Sequence, residues 1–72
     1  MLRRPPIANR VKALRDARGQ MSQAELGLAV GVTRQTIIAI EQGRYSPSLE
    51  TGFRIARTFG VGLEEVFIWE GE

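Results

Sequence analysis

Three observations predict an all-α fold, a compact five-helix domain with a short extended C-terminal tail. Apolar residues recur at three- and four-residue intervals through most of the 72-residue chain. Serine or threonine stands before several of these segments, where a hydroxyl can satisfy the orphan amides of a helix start. Glycine follows the segments, where a helix stops.

The elements follow in order. Pro5-Pro6 keeps the chain extended and sets residues 1–6 apart as a basic, flexible arm. Ile7, Val11, Leu14 and Ala17 recur at helical spacing, and Gly19 stops that first helix. Ser22 opens a second helix through a capping box with Glu25; it carries Ala24, Leu26, Ala29 and Val30 and ends at Gly31. Thr33 caps a third helix, which buries Ile37 and Ile40, runs to Glu41 and is closed by Gly43. Tyr45-Ser46-Pro47-Ser48 is a turn, and Ser48 caps a fourth helix. Leu49, Phe53, Ala56 and Phe59 mark its buried stripe, with Ile55 beside it, and Gly60 ends it. Gly52 inside this helix costs about 1 kcal/mol relative to alanine; close helix packing and tolerated drift are both adequate reasons for it. A last short helix runs from Leu63 to about Phe67, and residues 68–72 form the tail.

Composition removes several functions. With no cysteine and no histidine, disulfides, thiolate metal sites and histidine-based acid–base chemistry are excluded. The serines sit at helix caps, Glu64 and Glu65 lie on a short surface helix, and the glycines mark helix ends rather than a phosphate-cradling loop. Neither a catalytic site nor a cofactor is therefore expected. No apolar run approaches the roughly 18 residues of a membrane span, and no signal core follows the basic start. A cytoplasmic protein is expected. The net charge of +2 is unevenly spread. Arg3, Arg4, Arg10, Lys12, Arg15 and Arg18 crowd the first eighteen residues, whereas Glu64, Glu65, Glu70 and Glu72 crowd the end. Such polarity fits one end facing an anion, and it also fits an ordinary solvated surface.

The segment from Ser22 to Gly43 (SQAELGLAVGVTRQTIIAIEQG) holds two short capped helices joined by a tight Gly31-Val32 turn. The second of them has an apolar back, Ile37 and Ile40, and a polar front beginning with Arg34 and Gln35. That is the division of labour required of a helix that docks on its own domain and reaches base edges with the other face. SQAEL, GVTRQTI and IEQGRYSPSLE resemble the phage lambda/434 repressor and Cro type of helix-turn-helix, the Xre-like regulators. The resemblance runs from about Asn9 to Phe67 and includes the order of the motifs.

The resemblance implies a lambda-repressor-like domain over residues 7–67 that binds double-stranded DNA and regulates transcription, most simply as a repressor. Its reading helix would enter the major groove. Carried over by position, Arg34, Gln35, Ile38 and Ala39 become base-reading residues. Arginine can donate two hydrogen bonds to guanine and glutamine can pair with adenine, whereas Ile38 and Ala39 can only touch a thymine methyl. The family often has a polar residue near Ile38, so the detailed base code departs here. Gln23, Thr33, Thr36 and Arg44 become phosphate contacts. Arg15 and Glu41 resemble the family's internal ion pair, which is worth little if exposed and much if buried. Arg3 and Arg4 are read either as a minor-groove arm or as a plain terminus.

Two readings of the apolar end stand side by side. Val66 and Phe67 complete the core; Ile68 and Trp69 then either anchor a homodimer or fold back over the chain's own helices. A dimer would set two reading helices one turn of DNA apart, about 34 Å. The rival function is a protein-interaction module of the same fold, an antitoxin or adaptor, which fold alone does not separate from a repressor. Little chain remains outside the domain for wrapping a toxin or holding an effector.

Overall fold

The computed structural model describes residues 5–71. Its elements, in chain order, are β1 (Ile7–Asn9), α1 (Val11–Ala17), α2 (Gln23–Val30), α3 (Arg34–Glu41), α4 (Leu49–Phe59), α5 (Leu63–Val66) and β2 (Phe67–Trp69). The expected arm at Arg3 and Arg4 lies outside the described residues.

Most helix starts are built by the residues just before them. Ser22 Oγ accepts the amide of Glu25 at 2.9 Å, and Glu25 Oε1 accepts the amide of Ser22 at 2.7 Å, a complete capping box. Thr33 and Ser48 cap α3 and α4 in the same way, accepting from Thr36 and Thr51. Gly31 and Gly60 end α2 and α4 with φ of 81° and 68°, a left-handed conformation that costs glycine nothing. α1 has no such cap at Arg10; the amide of Val11 is instead taken by Asn9 Oδ1 at 3.1 Å.

Each helix contributes to one core. Val11, Leu26, Val30, Ile37, Ile40, Ile55, Ala56 and Val66 are all at most 2% exposed. Leu14, Met21, Val32, Phe59, Val61 and Phe67 pack around them. The joint between α2 and α3 is tight: Gly31 and Val32 both donate their amides to Gly27 O, at 2.8 and 2.9 Å. A Cβ on Gly27 would lie 2.7 Å from Val32 O, so only glycine lets the turn fold down onto α2.

Three expectations need correction. The fold is helical but not strictly all-α, because β1 and β2 pair antiparallel with Ile7 opposite Trp69 and Asn9 opposite Phe67. Two flanking bonds, Arg10 N to Val66 O and Glu70 N to Pro6 O, extend the ladder. Ile7 is thus a strand residue; its helical spacing from Val11 is incidental, since the diproline precedes an extended segment. The last helix stops at Val66, because Phe67, Ile68 and Trp69 gain ladder hydrogen bonds and are residues that favour strands.

The third correction concerns α4. Its inward residues are Gly52, Ile55 and Ala56, while Leu49 is 69% and Phe53 49% exposed. Gly52, Ile55, Ala56 and Phe59 follow an i, i+3, i+4, i+7 pattern, and this stripe faces the core instead. A Cβ on Gly52 would lie 3.4 and 3.6 Å from Leu63 and Phe67, ordinary contact distances, so the packing here leaves room for a methyl and does not require glycine.

Candidate nucleic-acid interface

α3 combines two unlike ends. Its start is a solvent-facing turn capped only from within: Thr33 Oγ1 accepts the Thr36 amide and lies 3.1 Å from Thr36 Oγ1. Arg34 and Gln35 follow immediately and are exposed. One helical turn on, Ile38 and Ala39 are half-buried, and Ile37 and Ile40 fill the core beneath. The helix therefore presents a short outer face of Arg34 and Gln35 with a small apolar margin. A guanidinium and an amide there can donate and accept along a row of hydrogen-bonding edges.

The end of α3 is fixed by a buried polar cluster. Arg15 Nε donates to Glu41 Oε2 at 2.6 Å and Arg15 Nη2 to Glu41 Oε1 at 3.0 Å, a bidentate pair. Arg15 Nη1 donates to Met21 O at 2.7 Å, so all three guanidinium nitrogens are used inward. The two side chains are 9% and 8% exposed, which makes this a buried pair. The hydrogen bond to Glu41 raises the Arg15 guanidinium above its ordinary value, against an opposing penalty of burial. Gln23, the first residue of α2, donates from Nε2 to Glu41 Oε1 at 3.0 Å. One carboxylate thus joins α1, α2 and α3.

That bond places Gln23 in a network the sequence does not announce. Its carboxamide is half-buried against Glu41 rather than extended into solvent. Asn9 is the residue sequence reasoning missed: Nδ2 donates to Ile40 O at 2.8 Å, at the same end of α3. An asparagine two residues before a helix was the available signal, since its side chain commonly bonds nearby backbone.

Arg44 is exposed just past α3 and donates from Nε to Gln42 Oε1 at 2.8 Å. Arg34, Gln35, Thr33, Thr36 and Arg44 thus all lie within α3 or at its two ends. Ile68 and Trp69 lie on a different element, β2, Trp69 being 63% exposed and Ile68 also exposed. Among the described residues no group of acidic side chains is arranged to hold a metal, and no helix is long and apolar enough to cross a membrane.

Comparison with known proteins gives a consistent picture. A helix-turn-helix family model, HTH_3, matches residues 11–66. An uncharacterized HTH-type transcriptional regulator of Methanocaldococcus jannaschii is 48% identical over 66 residues, covering 92% of this chain and 98% of that protein. The uncharacterized HTH-type transcriptional regulator YgzD of Bacillus subtilis is 52% identical over 66 residues, with the same coverage of both chains. The cryptic phage CTXphi transcriptional repressor RstR of Vibrio cholerae is 34% identical over 60 residues, covering 83% of this chain and 53% of the repressor.

Proposed function

This chain belongs to the helix-turn-helix family HTH_3 and is a DNA-binding transcriptional regulator; we propose that it is a non-enzymatic, cytoplasmic repressor that reads double-stranded DNA as a homodimer. The observation that carries the reading is the split character of α3, with Arg34 and Gln35 exposed at its start and Ile37 and Ile40 buried behind them. In this proposal α3 enters the major groove, and Arg34 and Gln35 read base edges while Ile38 and Ala39 meet thymine methyls. Thr33, Thr36 and Arg44 serve as phosphate contacts flanking the reading turn. Gln23 offers a phosphate its backbone N–H at the start of α2, while its carboxamide stays on Glu41. Repression is favoured by the likeness to RstR, itself a transcriptional repressor.

The dimer reading is supported by a continuous apolar face. Ile7, Leu63 and Phe67 line two adjoining surface hollows, one of which continues to Leu49 and Pro47 and the other to Trp69. Exposed apolar surface of this kind marks an interaction site. Glu64 also lines the second hollow, and an acid beside an apolar face does not suit a phosphate backbone. Side chains alternate along a strand, so Trp69 shares the side of Phe67 and Ile68 points the other way. Trp69 is the anchor in this arrangement, with Ile68 at most peripheral.

Selection from a random duplex library at near-physiological salt tests the proposal. A palindrome with half-site centres about 10 base pairs apart is expected. A pool without any motif, with binding that fades as salt rises, would overturn it in favour of phosphate contact alone.

A further inference from the structure

We infer that Asn9 is a positioning residue: its carboxamide ties the terminal sheet to the end of α3 and so sets the spacing at which a dimer reads two half-sites. The inference rests on the dimeric, α3-reading function proposed above.

Asn9 ends β1, opposite Phe67 in β2. Its two polar atoms face different elements. Oδ1 accepts the Val11 amide at the start of α1, and Nδ2 donates to Ile40 O in the last turn of α3, 31 residues along the chain. Ile40 O also accepts the amide of Gly43 at 3.0 Å. The carbonyl is therefore satisfied without Asn9, and the bond from Nδ2 is a lateral tie between elements rather than a cap the helix needs.

Its location gives this tie leverage. An open cleft of about 310 Å³ lies between the terminal segments and the end of α3, lined by Pro5, Ile7 and Ala8 on one side and Glu41, Gln42 and Gly43 on the other. Asn9 also lines this cleft and bridges it. On this side the two elements face each other across open space, so a hydrogen bond at the junction bears directly on their angle. The sheet carries Trp69, the proposed dimer anchor, and α3 carries the reading face. The Asn9 bond thus lies on the route that relates the orientation of the dimer to the direction of each reading helix. An amide suits the position because it accepts and donates at once. Aspartate would retain the acceptor toward Val11 and lose the donor toward Ile40.

The experiment uses the full chain and a set of duplexes carrying two copies of the selected half-site, their separation varied one base pair at a time. The wild-type chain is expected to prefer one separation. Asn9→Asp and Asn9→Ala are expected to flatten that preference by roughly two- to tenfold, the range of one net hydrogen bond, while affinity for a single half-site stays near wild type. Leu14→Ala, which removes core contact on α1 away from the cleft, lowers stability and should leave the separation preference intact. If folded Asn9→Asp or Asn9→Ala keeps the wild-type ratio between separations, the inference is overturned. A wild-type chain with no preferred separation would overturn the dimeric reading before any Asn9 variant is made, so the two failures are told apart.

Discussion

The two ends of α3 are built on opposite principles. At its start, Thr33 and Thr36 satisfy each other, and Arg34 and Gln35 stand in solvent with no tie to the rest of the domain described for them. At its end, Glu41 receives Arg15 and Gln23, and Ile40 O receives Asn9, so α1, α2 and β1 all converge on one turn. A helix that must present side chains to a partner needs its outer end uncommitted and its other end immobile. On the proposed reading, specificity and stability are carried by different residues of the same eight-residue element.

The largest effect should come from breaking the fixed end. Replacing Glu41 with alanine leaves the Arg15 charge buried without its partner, which costs about 3–5 kcal/mol. Urea unfolding should show the loss. The double replacement Arg15→Met with Glu41→Leu should recover most of it, because an apolar pair of similar size is often neutral. Recovery of folding without recovery of specific DNA binding would show that the pair also orients α3.

Two glycines sharpen the contrast between elements. Gly27→Ala drives a methyl group onto the Val32 carbonyl and should cost about 1–3 kcal/mol as an overpacked site. Gly52→Ala places its methyl at ordinary contact distance from Leu63 and Phe67, 3.4 and 3.6 Å, and should stabilise α4 by about 0.5–1 kcal/mol. Thermal unfolding of the two variants should therefore shift in opposite directions.

At the free end the expectation reverses. Gln35→Ala should leave stability within about 0.5 kcal/mol, as exposed substitutions do, yet remove about 1–3 kcal/mol of discrimination at one base pair. Competition binding between the selected site and its single-base variants measures this. A drop in stability with unchanged base preference would reverse the roles assigned to the two ends.

The smallest effect concerns acid. Glu25 is held below its ordinary value of 4.5 by the backbone amide of Ser22 first and by the Ser22 hydroxyl second. A lowered folded value means that the charged form adds stability above about pH 4.5. That contribution fades as pH falls through the lowered value. Between neutral pH and pH 3 the melting temperature of Glu25→Gln should consequently fall less steeply than that of the wild type.

Much of this architecture could be read in advance where a single residue dictates a local event. Ser22 with Glu25, Thr33, Ser48, Gly31 and Gly60 each act on the adjacent backbone, so they mark helix ends without reference to anything distant. The exposure of Arg34 and Gln35 is legible for the same reason, since they follow a cap and precede the buried Ile37 and Ile40. The three-residue strands were not, because three residues carry no period and their partner lies at the far end of the chain. The face of α4 was misjudged because Leu49 and Phe53 have the spacing of a buried stripe. Hydrophobicity alone does not say that the side carrying Gly52, Ile55 and Ala56 is the one turned inward. The ties of Gln23 and Asn9 to α3 depend on tertiary juxtaposition of polar groups, to which residue type gives only a weak guide.

The pairing of Ile7 with Trp69 also dictates an order of events. The α2–turn–α3 unit closes through contacts a few residues apart, so it can form early and quickly. The sheet must close a loop that spans nearly the whole chain, and the entropy of that closure is recovered only once the helices have drawn its ends together. On the ribosome, residues 67–69 emerge after α1 to α5. The edge that carries Trp69 is thus completed after α3, and a nascent chain holds the proposed reading helix before the strand proposed to bring two such helices together.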